Sequence, residues 1–256
     1  MIRLLLLGTL LMPLLACAED AQIAKRFSEH GVQGTLVLRA LNSGETLIHG
    51  DARAQQRFTV ASTFKVLNTL IAAEEGVADA STRFKWDGQQ RSIAAWNQDQ
   101  SLRSAFQLSC VWCYQQLAQT IGLERYRHYL HELNYGQFQQ PAELTRFWLN
   151  GQLRVSALEQ IELLQRIVRR QPPFSGVSYD ILKQAMQVDN ALYAKTGLAA
   201  DTSPQIGWYV GYVQTATDTW LFALNLDVRR DADIATRVEL TRQVLSDKGI
   251  LPARGD

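Results

Sequence analysis

The sequence lacks an excess of charge of either sign, since 26 basic residues are balanced by 25 acidic ones and the net charge is +1. It also lacks basic runs and stripes of alternating aromatic and basic residues, so nothing in it indicates nucleic acid or an anionic membrane surface as a partner. Internal repeats and low-complexity segments are absent as well. With 256 residues and an ordinary composition, we expect a single globular domain over residues 19–256.

Metal-ligand spacing is missing from the chain. There is no H-x-x-x-H and no second C-x-x-C, and the four histidines are scattered or lie close together on one polar helix. A structural or catalytic zinc site needs three or four ligands at short spacing, so we expect no metal site.

Long apolar runs are absent except at the N-terminus. Arg3 followed by the apolar residues 4–15 is typical of a signal peptide, and Ala16-Cys17-Ala18 offers a cleavage site before Glu19. The run is too short to span a bilayer, so we expect no membrane span and a periplasmic mature protein. In the alternative, Cys17 is lipidated and anchors the protein.

Cysteine is scarce, and cleavage of residues 1–18 leaves only Cys110 and Cys113. Their C-x-x-C spacing permits a redox pair, two buried free thiols or a local disulfide, and export to an oxidising compartment permits the last.

What the chain does have is a serine and a lysine one helical turn apart. Ser62 and Lys65 form the motif S-x-x-K, and in a helix their side chains lie on one face. A serine hydroxyl becomes a good nucleophile when a neighbouring base takes its proton. Lys65 can be that base only if burial keeps it uncharged or if it is chemically modified. The pair therefore predicts a nucleophilic site with apolar surroundings.

Two further motifs follow in order, Ser109-Cys110-Val111 and Lys195-Thr196-Gly197. The series S-x-x-K, S-x-V, K-T-G resembles the penicillin-recognising serine enzymes, and the valine of the second motif resembles class D, the oxacillinase-type β-lactamases. The resemblance extends over most of the mature chain. It is supported by Tyr135-Gly136, Phe147-Trp148-Leu149 and Gly207-Trp208-Tyr209-Val210-Gly211. Gln137 and Leu198 depart from the pattern of the class.

The element pattern predicts a mixed α/β fold, with an antiparallel sheet flanked by helices and an inserted all-helical lobe. The α/β lobe should comprise about residues 19–80 and 190–256, and the helical lobe about residues 85–188. Predicted strands cover residues 34–41, 45–49, 191–198, 206–214 and 220–228, and predicted helices cover residues 62–75, 102–121, 123–133, 156–170 and 233–248. The resemblance implies the β-lactamase/transpeptidase architecture.

For catalysis, the resemblance implies that Ser62 is acylated by a β-lactam and that Lys65 is its base. In class D the matching lysine carries a carbamate made from CO2 (N6-carboxylysine), and no other cofactor is implied. Val111 and Trp148 should supply the apolar pocket, where the indole N–H of Trp148 can donate to the carbamate. Ser109 should pass protons towards the β-lactam nitrogen.

For substrate binding, the resemblance implies that Lys195 and Thr196 face the cleft and attract the substrate carboxylate. Gly197 should leave room for the substrate beside its strand. The backbone N–H groups of Ser62 and Leu198 are candidates for an oxyanion hole. Arg237 should bind the carboxylate, because a guanidinium can contact it through two hydrogen bonds.

Two other functions use the same motifs. A penicillin-binding transpeptidase or carboxypeptidase shares the acylation step, and a β-lactam sensor domain remains acylated as a signal. The short chain, the S-x-V motif and Trp148 favour the β-lactamase. The sequence leaves open whether the protein is a monomer or a homodimer.

Overall fold

The computed structural model describes residues 19–252 of the chain. The α-helices in this part are α1 (Ala21–His30), α2 (Asp51–Gln55), α3 (Lys65–Glu74), α4 (Leu102–Gln107), α5 (Val111–Ile121), α6 (Leu123–Glu132), α7 (Ala157–Val168), α8 (Gly176–Met186) and α9 (Asp233–Asp247), and Ala61–Phe64 and Ala94–Trp96 form 3-10 helices. The strands are β1 (Gly34–Ala40), β2 (Thr46–His49), β3 (Phe58–Thr59), β4 (Arg83–Phe84), β5 (Gln100–Ser101), β6 (Gln137–Phe138), β7 (Leu153–Val155), β8 (Leu192–Ala199), β9 (Gln205–Gln214) and β10 (Thr219–Val228).

Five of the strands form an antiparallel sheet in the order β2-β1-β10-β9-β8. Successive residues of its strands point to opposite faces, as the period of an extended chain requires. On β9, Trp208 and Val210 enter one hydrophobic core, whereas Tyr209 and Val213 enter the other. Helices α1 and α9 cover the second face, and α7 covers the first. The predicted mixed α/β fold with an antiparallel sheet is confirmed.

Between β2 and β8 in the chain, five helices pack on one another: α3, α4, α5, α6 and α8. Helix α3 is buried along most of its length and contacts both α5 and α8. The 3-10 helix Ala61–Phe64, which precedes α3, packs against β8, the edge strand of the sheet. The start of α3 is therefore held between the helical region and the sheet.

The predicted continuous helix over residues 102–121 is wrong. Helix α4 ends after Gln107, and Ser109 adopts a left-handed backbone conformation with φ of 56°. Cys110 then begins α5 as its N-cap. Apolar spacing alone misses this break, because apolar residues recur on both sides of Ser109.

Helices α1, α2 and α8 are additions to the predicted helices. Asp20 caps α1 through hydrogen bonds from the backbone of Gln22 and Ile23, and Ser175 caps α8. No helix between residues 19 and 252 is long and apolar enough to cross a membrane. The predicted signal peptide, including Cys17, lies outside the described residues.

Candidate active site

Ser62 lies in the middle of the 3-10 helix, and Lys65 is the first residue of α3. One turn separates them, and the Nζ atom of Lys65 lies 3.0 Å from the Oγ atom of Ser62. Ala61, just before the serine, has φ of 50°, a left-handed conformation that costs a residue with a Cβ about 1–2 kcal/mol. The surrounding structure must hold this strained turn in place.

Hydrogen bonds from distant elements hold the turn. The Tyr135 hydroxyl donates to Gln160 at 2.9 Å, and Gln160 donates in turn to the Thr63 hydroxyl at 2.8 Å. The Trp208 indole donates to the backbone carbonyl of Thr59 at 3.0 Å. The Y-G segment and the strand after K-T-G therefore support the serine from both sides.

Lys65 is only 1% exposed, with its Nζ atom 4.9 Å from the centre of the Tyr114 ring. Burial lowers the pKa of Lys65 to about 7, because the ammonium loses its hydration. A neutral amine, which can act as a base or react with an electrophile, is thus well populated near neutral pH.

Trp148 is fully buried and stacks on Phe64, the residue that directly precedes Lys65, with ring centres 5.8 Å apart. Its indole Nε1 atom has no hydrogen-bond partner among the described residues. A buried donor without an acceptor costs free energy, so this arrangement fits an additional acceptor in the pocket. A carbamate on Lys65 would be such an acceptor.

Ser109 is contacted by Lys195, whose Nζ atom donates to the Ser109 Oγ atom at 2.5 Å and to the Thr196 carbonyl at 2.9 Å. Burial lowers the pKa of Lys195 well below its usual range, and the nearby charges of Lys65 and Arg237 lower it further. The cleft is lined by Thr196 but not by Lys195. Lys195 therefore lies behind Ser109 in this structure, and its attraction of the substrate carboxylate stays a prediction.

Cys110 and Cys113 are joined by a disulfide, and both are fully buried. Of the three alternatives that the sequence permits, the structure therefore contains the local disulfide. Neither sulfur is accessible to a partner protein, which argues against a redox exchange role.

A cleft of about 390 Å³ opens in front of Ser62. Its walls are mainly apolar, and Ile93 and Leu108 expose 45% and 41% of their surface at the rim. The lining residues are Ser62, Ile93, Trp96, Leu108, Ser109, Val111, Leu149, Thr196, Gly197, Leu198, Ala200, Asp201 and Arg237. Sequence reasoning missed Ile93, Trp96 and Asp201, because they lie outside the motifs and the periodic segments.

Arg237 projects from α9 into this cleft and donates to the carbonyl of Gly197. Burial lowers the pKa of Arg237 to about 10, so it stays cationic at neutral pH. Its Nε atom is buried and has no hydrogen-bond partner among residues 19–252. A spare guanidinium donor in an apolar cleft suits an anionic group of a ligand.

Gly197 lines the cleft, and its lack of a side chain also affects how the backbone packs. A Cβ atom there would lie 3.1 Å from Cγ2 and 3.2 Å from the backbone N of Thr63. The missing side chain thus lets β8 approach the segment that carries Ser62, which brings Leu198 to the wall of the same cleft. Gln137 is exposed on β6, so its departure from the class leaves the buried Tyr135 contact intact.

Residues 34–246 match the family described as penicillin binding protein transpeptidase domain. Beta-lactamase OXA-48 of Klebsiella pneumoniae is 39% identical over 239 residues, which cover 91% of this chain and 90% of that protein. Beta-lactamase OXA-20 of Pseudomonas aeruginosa is 39% identical with the same coverage.

Solved structures agree with these relatives. The class D β-lactamase YbXI from Nostoc superposes with a TM-score of 0.86 at 39% identity, covering 90% of this chain and 99% of that one. FUS-1 (OXA-85), a class D β-lactamase from Fusobacterium nucleatum subsp. polymorphum, gives 0.87 at 32% identity, with 91% and 100% covered. The β-lactamase prediction is thereby favoured over the transpeptidase and sensor alternatives: this chain belongs to the class D family of serine β-lactamases.

Proposed function

We propose that Ser62 attacks the β-lactam carbonyl and that Lys65 takes its proton. The observation that carries this assignment is the buried lysine amine, with a pKa of about 7, at 3.0 Å from the serine hydroxyl. A base with a pKa near the working pH combines a large available fraction with a strong tendency to accept a proton. A lysine with an ordinary pKa would be protonated and unable to do so.

Lys65 works in its carbamylated form in this proposal, as is typical of the family. The neutral amine adds to the carbon of CO2, a C–N bond forms, and one proton leaves. The carbamate supplies an anionic base for both acylation and deacylation. The indole N–H of Trp148, which has no other partner among the described residues, would donate a hydrogen bond to this carbamate. The surrounding aromatic rings would exclude the water that assists loss of CO2.

Opening of the lactam ring needs a proton at the leaving nitrogen. Ser109 lines the cleft and accepts a hydrogen bond from the buried Nζ atom of Lys195, so it can pass its own proton to the lactam nitrogen and take a proton from Lys195. The backbone N–H groups of Ser62 and Leu198 are the proposed donors to the carbonyl oxygen, which becomes negatively charged as the serine adds. Arg237 with Thr196 would bind the substrate carboxylate at the other end of the cleft.

Ser62→Ala tests this assignment with the purified mature protein and a chromogenic cephalosporin. We expect hydrolysis by the parent protein, together with loss of both hydrolysis and the covalent adduct in the variant. Mass spectrometry that finds a penicilloyl group on another residue would contradict the role of Ser62. Slow release of the acyl group from the parent protein would instead indicate a transpeptidase or a sensor.

We further propose that the protein is exported to the periplasm and cleaved before Glu19. The support is Arg3 followed by the apolar residues 4–15. N-terminal sequencing of the periplasmic fraction should begin at Glu19, whereas a lipid on Cys17 in the membrane fraction would favour the anchored form. Light scattering of the cleaved protein distinguishes a monomer from a homodimer.

A further inference from the structure

Ser109 lies in the short turn between the end of α4 and the N-cap of α5. The backbone N–H of Ser109 donates to the carbonyl of Phe106 at 3.2 Å, and that of Cys110 donates to the carbonyl of Ala105 at 2.9 Å. This pair of bonds is the Schellman ending of a helix, in which the left-handed position is usually a glycine. Here that position holds a serine with φ of 56°.

A left-handed serine is strained by its Cβ atom, so other contacts have to maintain it. On the α4 side, the two backbone bonds fix the turn. On the α5 side, Cys110 is the N-cap, and its disulfide to Cys113 spans the first turn of the helix. The disulfide therefore fixes the residue that directly follows Ser109, at the point where the chain changes direction.

We propose that the Cys110–Cys113 disulfide is a positioning element for Ser109. It holds the left-handed turn so that the Oγ atom of Ser109 stays between the Nζ atom of Lys195 and the cleft. Without the bond, the first turn of α5 can fray, Ser109 can relax out of the left-handed region, and its contact with Lys195 lengthens. The inference rests on the proton-transfer role of Ser109 proposed above.

The first test asks whether the bond is present in the purified mature protein. Alkylation in denaturant without reductant, followed by peptide mapping, should leave Cys110 and Cys113 unlabelled and joined. Labelling of both thiols in protein from the periplasm would overturn the proposal at this stage.

The second test separates positioning from stability by means of two replacements of the pair. Cys110→Ala/Cys113→Ala leaves a cavity, whereas Cys110→Ser/Cys113→Ser nearly keeps the volume and buries hydroxyls, so the two should differ in melting temperature. If the bond positions Ser109, both should lower kcat about 10-fold with a smaller change in KM, because proton transfer by a placed side chain contributes at least that much. Activity loss that instead follows melting temperature would overturn the proposal.

The third test is a double-mutant cycle with Ser109→Ala. We expect this substitution alone to lower kcat about 100-fold, the usual size for loss of a proton-transfer group. Removing the disulfide in the Ser109→Ala background should then change kcat by less than about 2-fold, because both changes act through one side chain. Independent, multiplicative losses would overturn the positioning role. A normal rate for Ser109→Ala would contradict the proposed function of Ser109 itself.

Ile121→Val is the matched control. Ile121 is a buried residue of the same helix, at the end of α5 distant from the cleft. The substitution perturbs the packing of α5 without touching its first turn, so kcat and KM should remain at the parent values. A loss of kcat equal to that of the cysteine variants would show that any disturbance of α5 suffices, and would overturn the specific role of the disulfide.

Discussion

The Nζ atom of Lys65 lies 3.0 Å from the Oγ atom of Ser62, while only 1% of the lysine is exposed. The same burial that prepares the lysine as a base removes its charged form from water. The catalytic pair should therefore lower the stability of the fold, and this cost should depend on pH.

Lys65→Met should stabilise the protein. Burial lowers the pKa of Lys65 to about 7 in the folded state, while the unfolded chain keeps the ordinary value of 10.5. Between these values the unfolded state binds more protons, so the free energy of unfolding rises with pH from about 7 to 10.5 and the full penalty is present below pH 7. We expect the variant to gain about 2–4 kcal/mol at pH 7.

Denaturant unfolding at pH 7 and pH 10 in CO2-free buffer measures this difference. The increase in the free energy of unfolding from the lower to the higher pH should be smaller in Lys65→Met than in the parent protein. It should not vanish, because Lys195 is buried as well and its pKa is lowered in the same direction. Equal slopes in the two proteins would mean that Lys65 keeps an ordinary pKa.

Trp148→Phe should slow turnover while preserving most of the packing. The substitution keeps an aromatic ring against Phe64 but removes the spare indole donor. We expect a loss of about 10- to 100-fold in kcat, with deacylation slowed most, and partial rescue by excess bicarbonate. Burst kinetics with a slowly hydrolysed penicillin separates the two steps.

Trp208→Phe is the control for Trp148. Trp208 is equally buried, but its indole donates to the Thr59 carbonyl and not to the lysine pocket. This variant should lose stability, and bicarbonate should leave its rate unchanged. If bicarbonate rescues both variants alike, or neither, the indole of Trp148 has no special relation to the carbamate.

Arg237→Ala should impair binding more than chemistry. The guanidinium is cationic at neutral pH and lies in the cleft, so it should attract a carboxylate in the ground state and the transition state alike. We expect KM to rise about 10- to 100-fold with a smaller change in kcat, since a charge-assisted hydrogen bond contributes about 1.5–3 kcal/mol. Arg242→Ala, on the same helix but outside the cleft, should leave KM unchanged. An unaltered KM in Arg237→Ala would eliminate the carboxylate contact.

The sequence predicts those parts of the fold whose signals are local. Nearly continuous apolar runs locate β9 and β10, and the capping box of Ser156 and Glu159 locates the start of α7. The proximity of Ser62 and Lys65 also follows from helical spacing alone. These features depend on residues that are close together in the sequence, so a local motif or a periodic pattern predicts them.

Other parts depend on contacts between distant segments and leave no local signal. The break at Ser109 is set by a helix ending without glycine, and apolar periodicity passes through it. The position of Lys195 behind Ser109, and the tight approach of Gly197 to Thr63, depend on how β8 packs against the 3-10 helix. Motif order identifies such residues but does not reveal which face of the strand each one uses.

The most direct test of the central claim is the rate of β-lactam hydrolysis as a function of bicarbonate. In degassed, bicarbonate-free buffer the rate should fall, and below pH 7 it should fall further, because a protonated Lys65 cannot add CO2. Added bicarbonate should restore the rate in the parent protein. A rate that is indifferent to bicarbonate at every pH would mean that Lys65 acts as a plain amine and would contradict the carbamate mechanism.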